Sequence, residues 1–230
     1  MIESVCIVGA GRVGQAVAAR LDGRVPAVWT AGRDPACDGA DLTLLCVPDR
    51  AIDEVARAIA CGHWIAHMSG AAQLRSLEPH TRRFSLHPLQ TFQLGLGPEQ
   101  FDGAYAAVTA ETPQALEVAL ELADLLGLRA FELADEDRPV YHAAATVAAS
   151  FLVTLHDAAA DLIEAAGAPP EALLPLMHRT MESGFVPTGP FLRRDYATIE
   201  AHLHAIRERR PQLESLYRSL ADVTERLLPR

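Results

Sequence analysis

Lysine and asparagine are absent from the 230-residue chain, so all 20 of its basic side chains are arginine. Schiff-base chemistry on a lysine is thereby excluded, as is any mechanism that pairs a lysine acid with an asparagine partner. No uninterrupted apolar run is long enough to cross a bilayer, and the first residues read as a strand rather than as a basic and apolar leader. A cytoplasmic protein with no membrane partner is expected. Cys6, Cys37, Cys46 and Cys61 show no CxxC spacing, and Cys6 and Cys46 fall inside strand candidates. They read as small buried hydrophobes in a reducing compartment, neither disulfides nor zinc ligands, and no metal site is expected. A formal charge of −10 argues against nucleic acid or an anionic membrane as partner, while leaving room for a local basic site that binds an anionic small molecule.

Half of the residues are hydrophobic, and the most informative of them lead into a glycine-rich turn. Val5 to Val8 is apolar on both faces, as a central parallel strand should be, and it stops at Gly9, Ala10, Gly11, Arg12, Val13 and Gly14. In a dinucleotide-binding turn, Gly9 supplies the sharp bend, Gly11 lets the backbone approach a pyrophosphate, and Gly14 lets the next helix pack on the strand. The helix expected over 12–21 then aims free N–H groups at the phosphates. A strand over 25–30 follows and ends before Arg33 and Asp34. There a carboxylate would suit the ribose of NAD and an arginine the extra phosphate of NADP, so Arg33 favours NADP over NAD. Asp34 is left to cap the next turn.

Val47 and Pro48 end a third buried strand at the edge where open α/β sheets bind ligands, and a helix is expected over 51–60. Further strands end near His67-Met68-Ser69-Gly70 and at His87-Pro88, with a helix expected over 71–77. Ser69 joins Val47 and Pro48 as a candidate cofactor neighbour. His87 and His67 are candidates for the substrate site, although either could be a structural histidine; the proline after His87 holds it out of the helical region. A strand over 105–109, a helix over 113–126 and a strand over 129–133 complete the alternation, which implies a parallel sheet built by right-handed crossovers.

The character changes at Ala134-Asp135-Glu136-Asp137, where Asp135 or Asp137 reads as a helix cap. An alanine-rich helix over 141–166 is expected to be packed on all sides, including by a second subunit. Helices over 170–183, 196–209 and 211–228 follow. The loop at 183–195 carries Arg193 and Arg194, either of which could meet a substrate carboxylate, the alternative being a solvated pair before an Asp195 cap. The fold class is therefore α/β: a Rossmann doubly wound sheet over 1–135, then a smaller all-α domain over 136–230 for substrate binding and dimerisation.

Taken together, Gly9-Ala10-Gly11-Arg12-Val13-Gly14, Val47-Pro48-Asp49, His67-Met68-Ser69-Gly70-Ala71, Leu86-His87-Pro88-Leu89-Gln90-Thr91-Phe92, Tyr141-His142-Ala143-Ala144-Ala145 and Gly189-Pro190-Phe191-Leu192-Arg193-Arg194-Asp195 carry a resemblance. The chain resembles Rossmann-like NADP-dependent oxidoreductases of the 6-phosphogluconate dehydrogenase superfamily, in a branch with a C-terminal helical domain of unknown function. The resemblance implies NADP on the glycine turn, a small substrate in a cleft between domains, and a homodimer formed through the helical domain. It also implies a departure. Proteins like this one commonly carry lysine where this chain has Arg138 and asparagine where it has Ser150, and arginine cannot serve as the proton donor. Candidate catalytic residues are then His87, Tyr141 and His142, with Arg138 and Arg193 holding charge. The expected activity is hydride transfer between NADP(H) and a small keto or imino substrate, with a deazaflavin as another conceivable hydride partner. The competing reading is a catalytically inactive NADP-binding module; a methyltransferase fits less well, because nothing acidic ends the second strand.

Overall fold

The computed structural model describes residues 1–32 and 37–228, so Arg33 and Asp34 lie outside the described residues. The chain divides into two compact units, Met1–Val147 and Ala148–Arg230. In the first, β1 (Ser4–Val8), β2 (Ala27–Ala31), β3 (Leu42–Leu45), β4 (Trp64–His67), β5 (Arg83–Leu89), β6 (Tyr105–Ala110) and β7 (Arg129–Glu132) form one sheet in the spatial order β2-β1-β3-β4-β5-β6-β7. The chain leaves β1 to one side and returns to β3 on the other. That reversal opens a crevice outside the carboxyl ends of the strands, which is where such sheets bind ligands.

Both faces of the central strands are covered, so β3 and β4 are buried at every position. This is why they read as continuous apolar runs rather than as alternating patterns. One face holds Val5, Ile7, Leu42, Leu44, Phe84 and Leu86 against α1 (Arg12–Leu21) and α3 (Pro113–Leu126). The other packs Cys6, Val8, Leu45 and Ile65 against α2 (Ile52–Ala58) and the single 3-10 turn Leu74–Leu77. The helix expected over 71–77 is reduced to that turn.

Helix α3 occupies the span expected of it, because each end has a local signal: the Thr112 side chain accepts the Ala115 amide at 3.1 Å, and Gly127 takes φ 76°. The uniformly parallel sheet does not survive. β6 pairs with β5 antiparallel, and β7 is parallel only to β6. Between β5 and β6 the chain makes one 3-10 turn, Pro98–Phe101, and no helix. A parallel return is usually carried by a crossover helix, which residues 90–104 do not form.

The expected reduced cysteines are also corrected. Cys6 in β1 and Cys37 after β2 form a disulfide, with Cα atoms 5.6 Å apart, while Cys46 and Cys61 are free. A separation of 31 residues gives no hint of this contact, which arises because β2 brings the chain back alongside β1. The argument for a reducing compartment loses that support.

The helix expected over 141–166 is broken. Ala149, at φ −114° and ψ −67°, separates α4 (Arg138–Ala148) from α5 (Ser150–Ala165). Nearly all of α4 belongs to the first unit, although the sequence placed it in the helical half. The second unit contains α5, α6 (Leu173–Glu182), α7 (Gly189–Arg193), α8 (Tyr196–Arg209) and α9 (Glu214–Leu227). Asp195 caps α8 by accepting the Thr198 amide at 3.2 Å, and Glu214 accepts from Arg207 and Arg218 at 2.8 and 2.9 Å. Ile199, Leu203 and Ile206 are buried, whereas no residue of α5 is. Packing of that helix on all sides is thus not provided by this chain. Within 135–165 a window reaches a mean hydropathy of 1.4, enough by length and composition to cross a membrane. Alanine raises that average without producing the unbroken apolar run sought in the sequence.

Opening the Cys6–Cys37 bond, by reductant or by Cys37→Ser, is expected to cost about 3–4 kcal/mol of stability through release of the unfolded chain. A denaturant midpoint that does not move on reduction would show the two thiols unjoined in solution.

Candidate functional site

The glycine turn is built by backbone contact. Gly9 takes φ 109°, and a Cβ there would lie 2.6 Å from the Cys46 carbonyl oxygen; a Cβ on Gly14 would lie 1.9 Å from the Gly9 oxygen. No side chain fits at either position, so α1 can lie directly on the turn only with these glycines. Gly11 faces open space instead. The first amide bonding back along α1 is that of Gln15, to Gly11 O at 3.0 Å. The N–H groups ahead of it, on Arg12, Val13 and Gly14, are the unpaired donors of a helix start. Their number and direction fit a diphosphate. The expected positions Gly9 to Gly14 are therefore brought together as a ligand cradle.

A cavity of about 640 Å³ opens beside the turn, bordered by Gly9, Ala10, Ala31, Gly32, Val47 and Pro48. Val47 and Pro48 thus stand where the sequence put them. Ser69 is buried, and its hydroxyl oxygen accepts the Ala71 and Ala72 amides at 3.1 and 2.9 Å. It shapes the turn after β4 and leaves only its own O–H for a ligand.

At the carboxyl end of β5, His87 Nδ1 and the Tyr141 hydroxyl of α4 are hydrogen-bonded at 2.7 Å. The His142 ring is also near, 6.4 Å from that of His87, and the Phe131 ring stands 6.1 Å from Tyr141. Gly70 makes the close packing possible. A Cβ there would fall 2.8 Å from His87 Cε1 and Nε2 and 2.9 Å from His142 Cδ2. Burial, then His142 and Arg138, push His87 down to about 4 against the pull of Asp49. Burial pushes Tyr141 up to about 12, partly opposed by Arg138. At neutral pH the pair is an uncharged imidazole and an uncharged phenol. Such a pair can give a proton to a substrate oxygen or nitrogen without first separating charge.

Arg138 lies beneath them with no solvent exposure. Its Nε donates to Asp135 at 2.9 Å, Nη1 to the Ser69 carbonyl at 3.0 Å and Nη2 to Thr109 Oγ1 at 3.0 Å. Asp135 in turn accepts the Leu74 amide at 3.1 Å, so it anchors the turn after β4 rather than capping a helix. The guanidinium is fully engaged. Arg138 is a positioning residue, holding the first turn of α4 and the Ser69-Gly70 turn to the sheet. The sequence marked it for its charge, and only its contacts reveal this use.

His67 is buried at the end of β4, paired in register with Ser85. Its Nδ1 accepts the Ser69 amide at 3.3 Å, while His67 Nε2 and Ser85 Oγ find no hydrogen-bond partner among the described residues. Burial and then Arg138 push His67 down to about 3, against the nearby Gln73 carbonyl. It belongs beneath the site rather than in it. Arg193 and Arg194 are exposed residues of the second unit, beside the Asp195 cap. Gly70 and Asp49 carry more of the site than the sequence suggested. Their signal was present as small and acidic residues a few positions past strand ends.

A family model described as a domain of unknown function, DUF2520, matches residues 104–224, more than half of the chain. The chain belongs to the DUF2520 family. The matched DUF2520 region contains Arg138, Tyr141, His142 and Arg193, while the glycine turn and His87 precede it. No curated protein matches the sequence. Among solved structures the chain is similar to an NADP oxidoreductase from Bacteroides fragilis, with a TM-score of 0.79 at 19% identity over 98% of both chains. It is similar also to a protein from Thermotoga maritima, with a TM-score of 0.77 at 20% identity over 96% of this chain and 97% of that one. A third likeness is to the reductive aminase of Aspergillus terreus in complex with NADPH and ethyl levulinate, with a TM-score of 0.67 at 16% identity over 98% of this chain and 93% of the other. At these identities the likeness shows the fold, a Rossmann sheet followed by helices.

Two outcomes are expected for this DUF2520 protein. Arg138→Met should destabilise it by about 1–3 kcal/mol, because the Ser69 carbonyl and Thr109 lose their buried donor; a folded variant of unchanged midpoint would refute the anchoring role. His67 and His87 stay neutral in the fold, whereas unfolded histidines take up protons near 6.5. The unfolded chain then binds more protons below that pH, so stability should be full above 6.5 and fall from there toward pH 4. Thermal midpoints at pH 7.5, 5.5 and 4.5 check the sign.

Proposed function

We propose that this chain is an NADP(H)-dependent oxidoreductase acting on the carbonyl or imine of a small substrate. The observation that carries the reading is the His87–Tyr141 pair, standing at the rim of the same sheet that offers bare amides at its glycine turn. Bound NADPH would supply the hydride. Gly9 to Gly14 would hold its diphosphate, and Val47 and Pro48 would border its path across the strand ends. The oxidoreductase and NADPH named in similar structures support the same cofactor.

The protein's own contribution is the proton. Tyr141 O–H is raised well above neutrality, so it is fully protonated when substrate arrives. It donates to the oxygen or nitrogen on which negative charge develops, and His87 Nδ1–H then stabilises the phenolate until solvent restores its proton. Arg138 keeps the pair in register and moves no proton itself. Ring walls from Phe131 and His142 suit an uncharged reacting group. A homodimer through the helical unit is part of this reading, supported by the exposed Phe151, Val153 and Leu152 of α5.

Tyr141→Phe should lower turnover by about 10²-fold or more while leaving the NADPH dissociation constant unchanged. The rate should be level across neutral pH and fall only as Tyr141 loses its proton toward about 12, measured against a panel of ketones and cyclic imines. NADPH binding with no oxidation by any of them would favour the inactive nucleotide-binding module.

A further inference from the structure

We infer that Arg50 reads the adenosine end of the nucleotide and gives the site its preference for a 2′-phosphate. The inference rests on the nucleotide-site reading above and goes beyond it, because the sequence offered only Arg33 for this task. Arg50 lies in the 3-10 turn Asp49–Ala51, between β3 and α2. It lines the cavity bounded by the glycine turn on one side and by Thr30, Ala31 and Gly32 at the end of β2 on the other. The end of β2 is where a Rossmann domain distinguishes the two dinucleotides.

Arg50 is exposed and makes no hydrogen bond or ion pair among the described residues. Its situation differs from that of Arg57, one further along the same segment, which is paired with Asp53 at 2.8 Å. Glu54 stands one helical turn from Arg50 and lines the same cavity, yet the two are not joined. A dianionic phosphate entering beside Glu54 meets a repulsive carboxylate, and a cation on the same wall is needed to offset it. A guanidinium fork presents two parallel N–H groups to phosphate oxygens, and a free one has no partner to give up first. Glu54 has the opposite preference: it suits a ribose bearing two free hydroxyls. Arg50 and Glu54 together thus set the balance between the nucleotides.

Calorimetric titration of the full chain tests this, with NADPH, NADH, adenosine 2′,5′-bisphosphate and 5′-AMP as probes. Wild type should bind NADPH more tightly than NADH. Arg50→Ala should weaken NADPH and adenosine 2′,5′-bisphosphate about tenfold, leaving NADH and AMP within about twofold. Its thermal midpoint should not move, since the side chain is exposed and makes no hydrogen bond or ion pair among the described residues. Glu54→Gln should shift the ratio the other way. An unchanged ratio in Arg50→Ala, an equal loss for all four probes, or complete loss of the preference in Arg33→Ala alone would overturn the inference. Failure of wild type to bind either dinucleotide would overturn the nucleotide site itself, which distinguishes the two.

Discussion

A charge hidden from water must be held on every side, and Arg138 is so held. Moving a guanidinium out of solvent costs several kcal/mol unless its donors are matched. Here its three nitrogens each meet an acceptor, from Asp135, the Ser69 carbonyl and Thr109. Those acceptors come from the start of α4, the turn after β4 and the body of β6. One side chain therefore fixes three parts of the sheet relative to one another. The position of Tyr141 over His87, one turn further along α4, follows from that constraint, as does the place of Gly70 against both histidines.

Close backbone approach is the second theme of the molecule. Gly14 on Gly9, Gly9 on Cys46 and Gly70 on His87 are contacts at which a methyl group would already collide. Each brings a reactive or binding element nearer than a side chain would permit: helix amides to the turn, and an imidazole to the strand end. The electrostatics agree with this packing. His87 and Tyr141 are each driven to their neutral forms by burial, which leaves an uncharged hydrogen-bonded pair.

Much of the sheet could be read in advance because its signals are local. The strand Val5 to Val8, the helix at 12–21 and the helix at 113–126 are each bounded by glycine, threonine or proline at their ends, and all form as expected. The helices expected over 170–183, 196–209 and 211–228 form for the same reason, whereas the short α7 lies in a stretch that reads as a loop. The direction of β6 was not legible. The connection at 90–104 is long enough for either orientation, and only the absence of a crossover helix decides it. The break at Ala149 was equally hidden, since Ala148 and Ala149 are strong helix formers and offer no signal to stop.

The candidate site divides along the same line. Residue type and order marked the glycine turn and His87, because turn geometry and strand ends leave a pattern a few residues long, whereas Tyr141 was marked by the family resemblance. The burial of Arg138, the disulfide between Cys6 and Cys37 and the exposure of Arg50 to the cavity depend on segments far apart in the chain. Sequence alone determined a Rossmann sheet with helices behind it and a chemistry without lysine. Tertiary structure alone decided which arginine is consumed by the fold and which is left free, because a guanidinium has the same composition in both places and differs only in what surrounds it.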